Sequence, residues 1–393
     1  MKFSAFFSFR SAFAVAFLVA LALFAPLLAK KALRTSVSAL AEKFPLKKWF
    51  VEINGGMHRL TGRRLCNTVY RAPSGILLSQ YRGKDGIAKV ASNTVAFSEW
   101  LASHGIPYIY VQVPGKIDMG VTMLPHPLVN MANARTDEFL ATLAARSVRT
   151  LDIRSRFSAT PSHVERYFYR TDHHWNNDAV FEAFGIVARE IAGACGDDPA
   201  VVARFVSPDS WHREVWPQCF MGSKARRTGR CFGGLDDLIV HTPLFETRMS
   251  LAIPTIGVAR EGSFRETVMY RAPTIMRKPG AYTTMAYINL YAGVGGSYGE
   301  ARHRNPDAPL KRRVMLMGDS FVRPVECMLS TIASEILCVD QRRLVHGETA
   351  AKFVEEFKPD VVVQMCNAGA FFSDMLTGPK TGRSVLFEYG ELR

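Results

Sequence analysis

The sequence predicts an α/β fold: a three-layer sandwich with a mostly parallel sheet between two layers of helices. Three observations carry that expectation. In the last part of the chain, Arg313–Met317, Glu335–Val339 and Asp360–Met365 read as buried strands, separated by amphipathic stretches Val322–Ser330 and Gly347–Phe357 that read as helices. A β-α-β-α-β run of this kind requires parallel strands joined by right-handed crossovers. The front of the chain alternates in the same way, and polar residues gather just after strands, where ligands bind in such sheets. Ser320 and Asn367 both stand at such ends.

The globular part is expected to begin near Val51. Gly86 to His104 reads as a helix with Ile87, Val90, Val95 and Leu101 near helical spacing, and Gly105-Ile106-Pro107 breaks it. Tyr108–Val113 reads as a buried strand ending at Pro114-Gly115-Lys116, followed by a helix over Arg135–Arg146 and a short strand over Thr150–Ile153. Val164–Tyr169 is expected as a strand leading into Asp172-His173-His174. Asn176 or Asn177 can then cap a helix that buries Val180, Phe181, Phe184, Val187 and Ile191. Residues 196–310 read as a long insertion holding a strand near Leu251–Val258 and a glycine-rich segment at Gly293–Gly296. The chain therefore divides into an N-terminal segment, 1–35, and a globular domain, 51–393.

That N-terminal segment carries its own signal. Lys2 and Arg10 precede the uncharged run 11–29, and Lys30-Lys31 follow it. At 1.5 Å per residue such a run is about as long as a bilayer core is thick. Pro26 lies near its far end, where a helix tolerates it. The run is long for a signal-peptide core and lacks a close small-x-small site, so a transmembrane anchor is favoured over a cleaved signal peptide. Basic residues after the run outnumber those before it, which by the positive-inside rule keeps the bulk of the chain in the cytoplasm. Large domains, however, translocate with little regard for charge.

The composition is that of a globular protein, 48% hydrophobic and 21% charged, with a net charge of +14. That balance suits an acidic glycan or an anionic membrane surface. No zinc-finger spacing, homeodomain-like helix or aromatic RNP pattern accompanies it, so nucleic acid is not expected. The seven cysteines include no C-x-x-C pair. Cys219 and Cys231 flank a basic loop holding Lys224, Arg226, Arg227 and Arg230. Outside the cytosol a disulfide could staple that loop; two unpaired thiols are the plain alternative.

A serine hydroxyl becomes a nucleophile when a neutral imidazole takes its proton, and a carboxylate fixes the imidazole's tautomer. Asp172 and His174 are two apart, so in an extended segment they leave the same face while His173 points away. His174 is thus the expected base and His173 structural. Ser320 follows Gly318-Asp319 at a strand-to-helix turn, although Phe321 and Val322 stand where the usual nucleophile elbow ends in x-Gly. The Ser320 amide and the Asn367 side chain are candidate oxyanion donors. Asn367, His173, Trp175 and Lys116 are candidate oxyanion or substrate-binding residues, with Lys116 able to face the cleft and Trp175 able to line a sugar site. Each part also has a plain reading: Gly-Asp-Ser is a common turn, Asn367 a turn residue, Lys116 a solvated loop lysine, and Trp175 a core residue. Their pairing at strand ends is what raises a Ser320–His174–Asp172 triad above its parts.

Tyr169-Arg170-Thr171-Asp172-His173-His174-Trp175 together with Gly318-Asp319-Ser320-Phe321 resembles the DHHW proteins and the SGNH-hydrolase-like alginate O-acetyltransferases of the AlgX/AlgJ type. The resemblance covers most of residues 51–380, including Val113–Lys116 and Lys358–Val361. It implies an SGNH-hydrolase-like domain outside the cytoplasm, tethered to the membrane through residues 11–29. Such a domain would move acetyl groups on or off an exopolysaccharide, with the acetyl donor relayed by a multi-pass membrane acyltransferase and no cofactor or metal. The implied placement outweighs the positive-inside bias. The separation of His174 and Ser320 is longer than the family pattern. Plain esterase action, metal-dependent phosphoester hydrolysis and a non-catalytic glycan-binding scaffold are the other readings. The metal reading lacks the additional Asp and His clusters that it would need.

Overall fold

The computed structural model describes residues 46–81, 86–117, 124–158, 163–269, 299–341 and 349–367, with 282–284, 287, 290 and 291. The run 11–29 and Gly293–Gly296 lie outside these. No helix among the described residues is long and apolar enough to cross a membrane.

The main sheet has eight strands among the described residues. In chain order they are β1 (Tyr108–Val113), β2 (Thr150–Asp152), β3 (Met249–Ile253), β4 (Val258–Gly262), β5 (Glu300–Arg304), β6 (Leu310–Gly318), β7 (Ala333–Asp340) and β8 (Val361–Asn367). Their spatial order is β2-β1-β8-β6-β7-β5-β3-β4. The first five are parallel and the last three join antiparallel. The part of the chain expected to be an insertion therefore continues the main sheet through β3, β4 and β5. It also folds its own antiparallel hairpin, Trp211–Phe220 with Asp236–Pro243.

Alternation along the strands explains the layers. Ile109, Val111 and Val113 of β1 join Val314, Leu316, Val361 and Val363 in one core, whereas Tyr108, Tyr110, Met315, Met317 and Val362 face a second. Helices α2 (Ile87–Ser103) and α3 (Ala132–Ala145) cover the second core. The first is covered by α4 (Asn177–Ala194), which buries Val180, Phe181, Phe184, Val187 and Ile191. Helix α7 (Val322–Leu329) packs with α4, and α8 (Ala350–Phe357) lies opposite. The observed layers thus match the expected sandwich, and the expected helices and strands of the C-terminal run are present within a few residues.

One strand expectation fails. Val164–Tyr169 is not extended: His163–Tyr167 is a short helix, and only an isolated bridge between Phe168 and Trp175 follows it. Val164, Tyr167, Phe168 and Tyr169 are buried whereas Glu165 and Arg166 are exposed, so burial follows the i, i+3, i+4 spacing of a helical turn and not the alternation of a strand. Of the two alternatives for the basic loop the unpaired one is found: Cys219 and Cys231 are both free, the first buried and the second exposed.

Candidate active site

Ser320 stands just beyond the carboxyl end of β6, where the chain turns into α7. Gly318 makes this turn possible. A Cβ there would sit 2.1 Å from the Met365 carbonyl oxygen of neighbouring β8, so no larger residue fits without parting the two strands. Asp319 then ties the strand ends together. Its Oδ1 accepts from the Phe321 amide at 2.8 Å, and its Oδ2 accepts from the Asn367 amide at 3.2 Å and from the Asn367 side chain. The Asn367 amide group is thus turned toward Asp319 as well as lining the cleft.

Asp172 and His174, the candidate acid and base, come from residues 168–176, which form a tight loop. The Tyr169 amide donates to the His174 carbonyl at 3.3 Å and the Asn176 amide to the Tyr167 carbonyl at 2.8 Å, closing the loop at its neck. Asn176 also caps α4, its Oδ1 accepting from the amides of Asp178 and Ala179 at 3.1 Å each. Inside the loop the backbone curls around the Asp172 side chain. Oδ1 accepts from the amides of His173 at 2.7 Å and His174 at 3.1 Å, and lies 2.6 Å from His174 Nδ1. His174 Nε2 lies 2.6 Å from the Ser320 hydroxyl. A carboxylate only accepts, so Nδ1 carries the ring proton and Nε2 is left to accept from the serine. Burial alone would raise the Asp172 carboxyl, but the two imidazoles beside it outweigh that and hold it well below the usual carboxylate range.

His173 does not point away as an extended segment would require. Because the loop is curled, its Nδ1 lies 3.0 Å from Asp172 Oδ1 and 2.9 Å from the Ser223 hydroxyl, and its ring centre is 3.8 Å from that of His174. It stands half exposed at the cleft. Trp175, by contrast, is fully buried and donates from Nε1 to the Tyr287 hydroxyl at 3.0 Å, so it is a core residue and meets no ligand.

Two buried groups of opposite charge hold the loop from outside. Lys116 is not a solvated lysine: it is buried, and its ammonium donates to the carbonyls of Tyr169, Arg170 and Asp172 at 2.6, 2.8 and 2.8 Å. Burial, with Lys224 adding repulsion, pulls it down to about 7. Asp236 takes the other side, accepting from the amides of Arg170 at 2.7 Å and Thr171 at 2.8 Å and from the Thr171 hydroxyl. Removing the Lys116 donor strands three carbonyls. Lys116→Met is therefore expected to lower the free energy of unfolding by ~2–3 kcal/mol, read as a drop in urea midpoint, by the cost of unpaired buried acceptors. Activity should fall with it, since Asp172 loses its anchor.

A third element closes over the acid. Residues Ser223–Thr228 form α5, and the Ser223 amide donates to Asp172 Oδ2 at 2.5 Å. The preceding Gly222 comes so near that a Cβ would lie 2.5 Å from that of Asp172. Tyr287 stacks on the His174 ring at 3.9 Å and 16°. Gly222, Ser223, Asp236 and Tyr287 all belong to the stretch read as an insertion. None sits in a motif, and only the fold reveals them.

The Ser320 hydroxyl opens into a cleft of about 760 Å³, lined among others by His173, Lys116, Lys224, Arg227, Asn367 and Tyr81. Lys224 donates to the Ser79 hydroxyl at 2.9 Å, and burial lowers it to about 8. Asp172, His173 and His174 offer ligand atoms within 4.8 Å of one another. A cation there would compete with N–H donors on both Asp172 oxygens, and the His174 ring is already committed at both nitrogens. The constellation is a hydrogen-bonded relay.

Residues 74–204 match the family model described as the SGNH hydrolase-like domain of the acetyltransferase AlgX. The chain is similar to that domain over this stretch. Its fold is shared with the structure of Bacillus cereus PatB1 carrying a sulfonyl adduct, at 16% identity and a TM-score of 0.62, over 79% of this chain and 97% of that one. A DHHW family protein from Eubacterium siraeum matches at 17% identity and a TM-score of 0.57, over 82% and 97%. The O-acetyltransferase domain of Pseudomonas putida AlgJ matches at 13% identity and 0.46, over 82% and 96%. No curated protein matches. The AlgX-like stretch contains Asp172 and His174 but ends before Ser320, so the place of the serine rests on the geometry alone.

Proposed function

We propose that the domain transfers acetyl groups to hydroxyls of an exopolysaccharide or cell-envelope glycan through an acyl-Ser320 intermediate. The observation that carries this reading is the unbroken relay Asp172–His174–Ser320, with both contacts at 2.6 Å, ending in an open cleft. The description of the family that residues 74–204 match supports the acyl chemistry.

In the first step His174 Nε2 takes the Ser320 proton as Oγ attacks the carbonyl carbon of an acetyl donor. Asp172 steadies the imidazolium. The Ser320 amide, beside the forming bond, is the oxyanion donor we assign, with Asn367 at the rim of the same site. Collapse of the tetrahedral intermediate expels the donor's leaving group with the proton from Nε2. In the second step Nε2 removes the proton from a sugar hydroxyl, that oxygen attacks the acyl-serine, and Ser320 leaves with the proton restored. Residues 11–29 would tether the domain to a membrane on its extracytoplasmic side, where a multi-pass acyltransferase could hand over the acetyl group.

The test is incubation with an activated acetyl ester followed by peptide mapping. The expected result is an acetyl group on Ser320 that leaves onto polysaccharide when one is added. Release as free acetate, unaffected by acceptor, would identify an esterase, and a chain that is never acetylated would favour a glycan-binding scaffold.

A further inference from the structure

Helix α1 (Lys47–Leu60) presents apolar residues on two opposite faces, and the fold uses only one. The inner face is locked. Gly55 is buried so tightly that a Cβ would fall 1.8 Å from the Thr228 carbonyl oxygen of α5. Glu52 accepts from the Arg230 and Cys231 amides at 2.7 and 3.1 Å. The outer face carries Trp49, Ile53, Met57 and Leu60 at 69%, 44%, 48% and 88% exposure, at spacings of four, four and three. At 100° per residue these four fall within one narrow stripe. Lys48, Arg59, Arg63 and Arg64 are exposed around it. Glu52, the sole acid from Lys47 to Leu65, is turned inward onto the Arg230 and Cys231 amides.

We infer that this face lies on a lipid bilayer, with the stripe among the headgroups and upper acyl chains and the four cations on phosphates. A tryptophan-bearing apolar stripe flanked by basic residues is what a helix lying in the membrane interface requires. The position in the chain names the occupant. Residues 30–46 separate α1 from the apolar run 11–29, and that stretch reaches at most ~60 Å fully extended. The inference rests on the reading that 11–29 enters a bilayer; α1 is then confined to the neighbourhood of that surface. A second copy fits less well, because a two-fold contact through this stripe would bring two rings of like charge together. The consequence is geometric. Helix α1 is locked to α5, and α5 contributes Ser223, Lys224 and Arg227 to the active-site cleft. Docking would therefore hold the cleft at a fixed height and tilt above the membrane.

The test uses the full chain in nanodiscs of phosphatidylcholine and phosphatidylglycerol with brominated acyl chains, read by tryptophan emission. The component of emission that Trp49→Phe removes is expected to be quenched by the brominated lipid. In the double variant Ile53→Glu, Met57→Glu that quenching should be lost while the protein stays with the disc. If the chain stays with the disc and Trp49 is unquenched, the docking surface is refuted and the tether stands. Shielding of Trp49 from aqueous acrylamide that grows with protein concentration, without lipid quenching, would assign the face to a second copy instead. A chain that does not remain with the disc overturns both readings.

Discussion

Replacing Ser320 by alanine should remove ~10³-fold or more of acyl transfer, the loss expected when one member of a unit that acts together is deleted. The substitution is sterically mild. Ser320 is half-buried at the cleft, and its hydroxyl meets His174 Nε2 at 2.6 Å. Folding stability should therefore change little, and the urea midpoint should stay near that of the parent while turnover collapses. The imidazole remains in place with its proton on Nδ1, so slow His174-assisted hydrolysis by water is the only chemistry left to it. Turnover and midpoint measured on the same preparation separate this outcome from misfolding. An acetyl adduct that forms elsewhere in the chain at parental rate in the alanine variant would remove Ser320 from the mechanism.

Asp172→Asn is expected to have the next largest effect, a loss of ~10²–10⁴-fold in turnover, the scale seen when the triad acid loses its charge. The hydrogen bonds around Asp172 explain why the change cannot be absorbed by a flip of the amide. Oδ1 faces two backbone amides and His174 Nδ1, whereas Oδ2 faces the Ser223 amide. An asparagine has one oxygen and one NH₂. Whichever way it lies, the NH₂ meets a donor: either the Ser223 amide, or the amides and ring nitrogen on the other side. The variant should thus lose ~1–3 kcal/mol of stability as well, the cost of an unmatched buried polar pair. The pH dependence follows from the same site. The folded carboxyl is held well below its unfolded value of 3.8, so it contributes stability that is fully present above that value and is lost as pH falls through the folded one. Urea midpoints of parent and variant should therefore differ most at neutral pH and converge in acid. A gap that stays constant down to strongly acid buffer would show that the charge on Asp172 contributes nothing to the fold.

Much of the fold was legible because the strands announce themselves locally. The run Val361–Val363 is continuously apolar and Tyr108–Val113 is so except at Gln112, as strands buried on both faces tend to be, and of the two candidate caps Asn176 and Asn177 the structure uses Asn176. The reading failed where the buried positions follow helical spacing in a segment of strand-like composition. Val164–Tyr169 has the composition of a strand and forms a helical turn instead. His173 was misplaced for a related reason. Its direction follows from strand geometry only if the segment is extended, and here the loop is bent around a carboxylate that accepts its own neighbouring amides.

By itself the sequence determined the parallel core of the sheet and the strand-end serine, and it singled out Asp172 and His174 as candidate acid and base, because each depends on residues adjacent in the chain. Tertiary structure alone decided that His174 and Ser320, 146 positions apart, come within 2.6 Å. It also decided that Lys116 and Asp236 clamp the loop between opposite charges, and that Gly222 and Tyr287 close upon it. The physical reason is that a hydrogen bond or a ring contact depends on distance through space. Local pattern reports only which side of its own strand or helix a residue occupies, and the meeting of two such sides is set by how the layers pack.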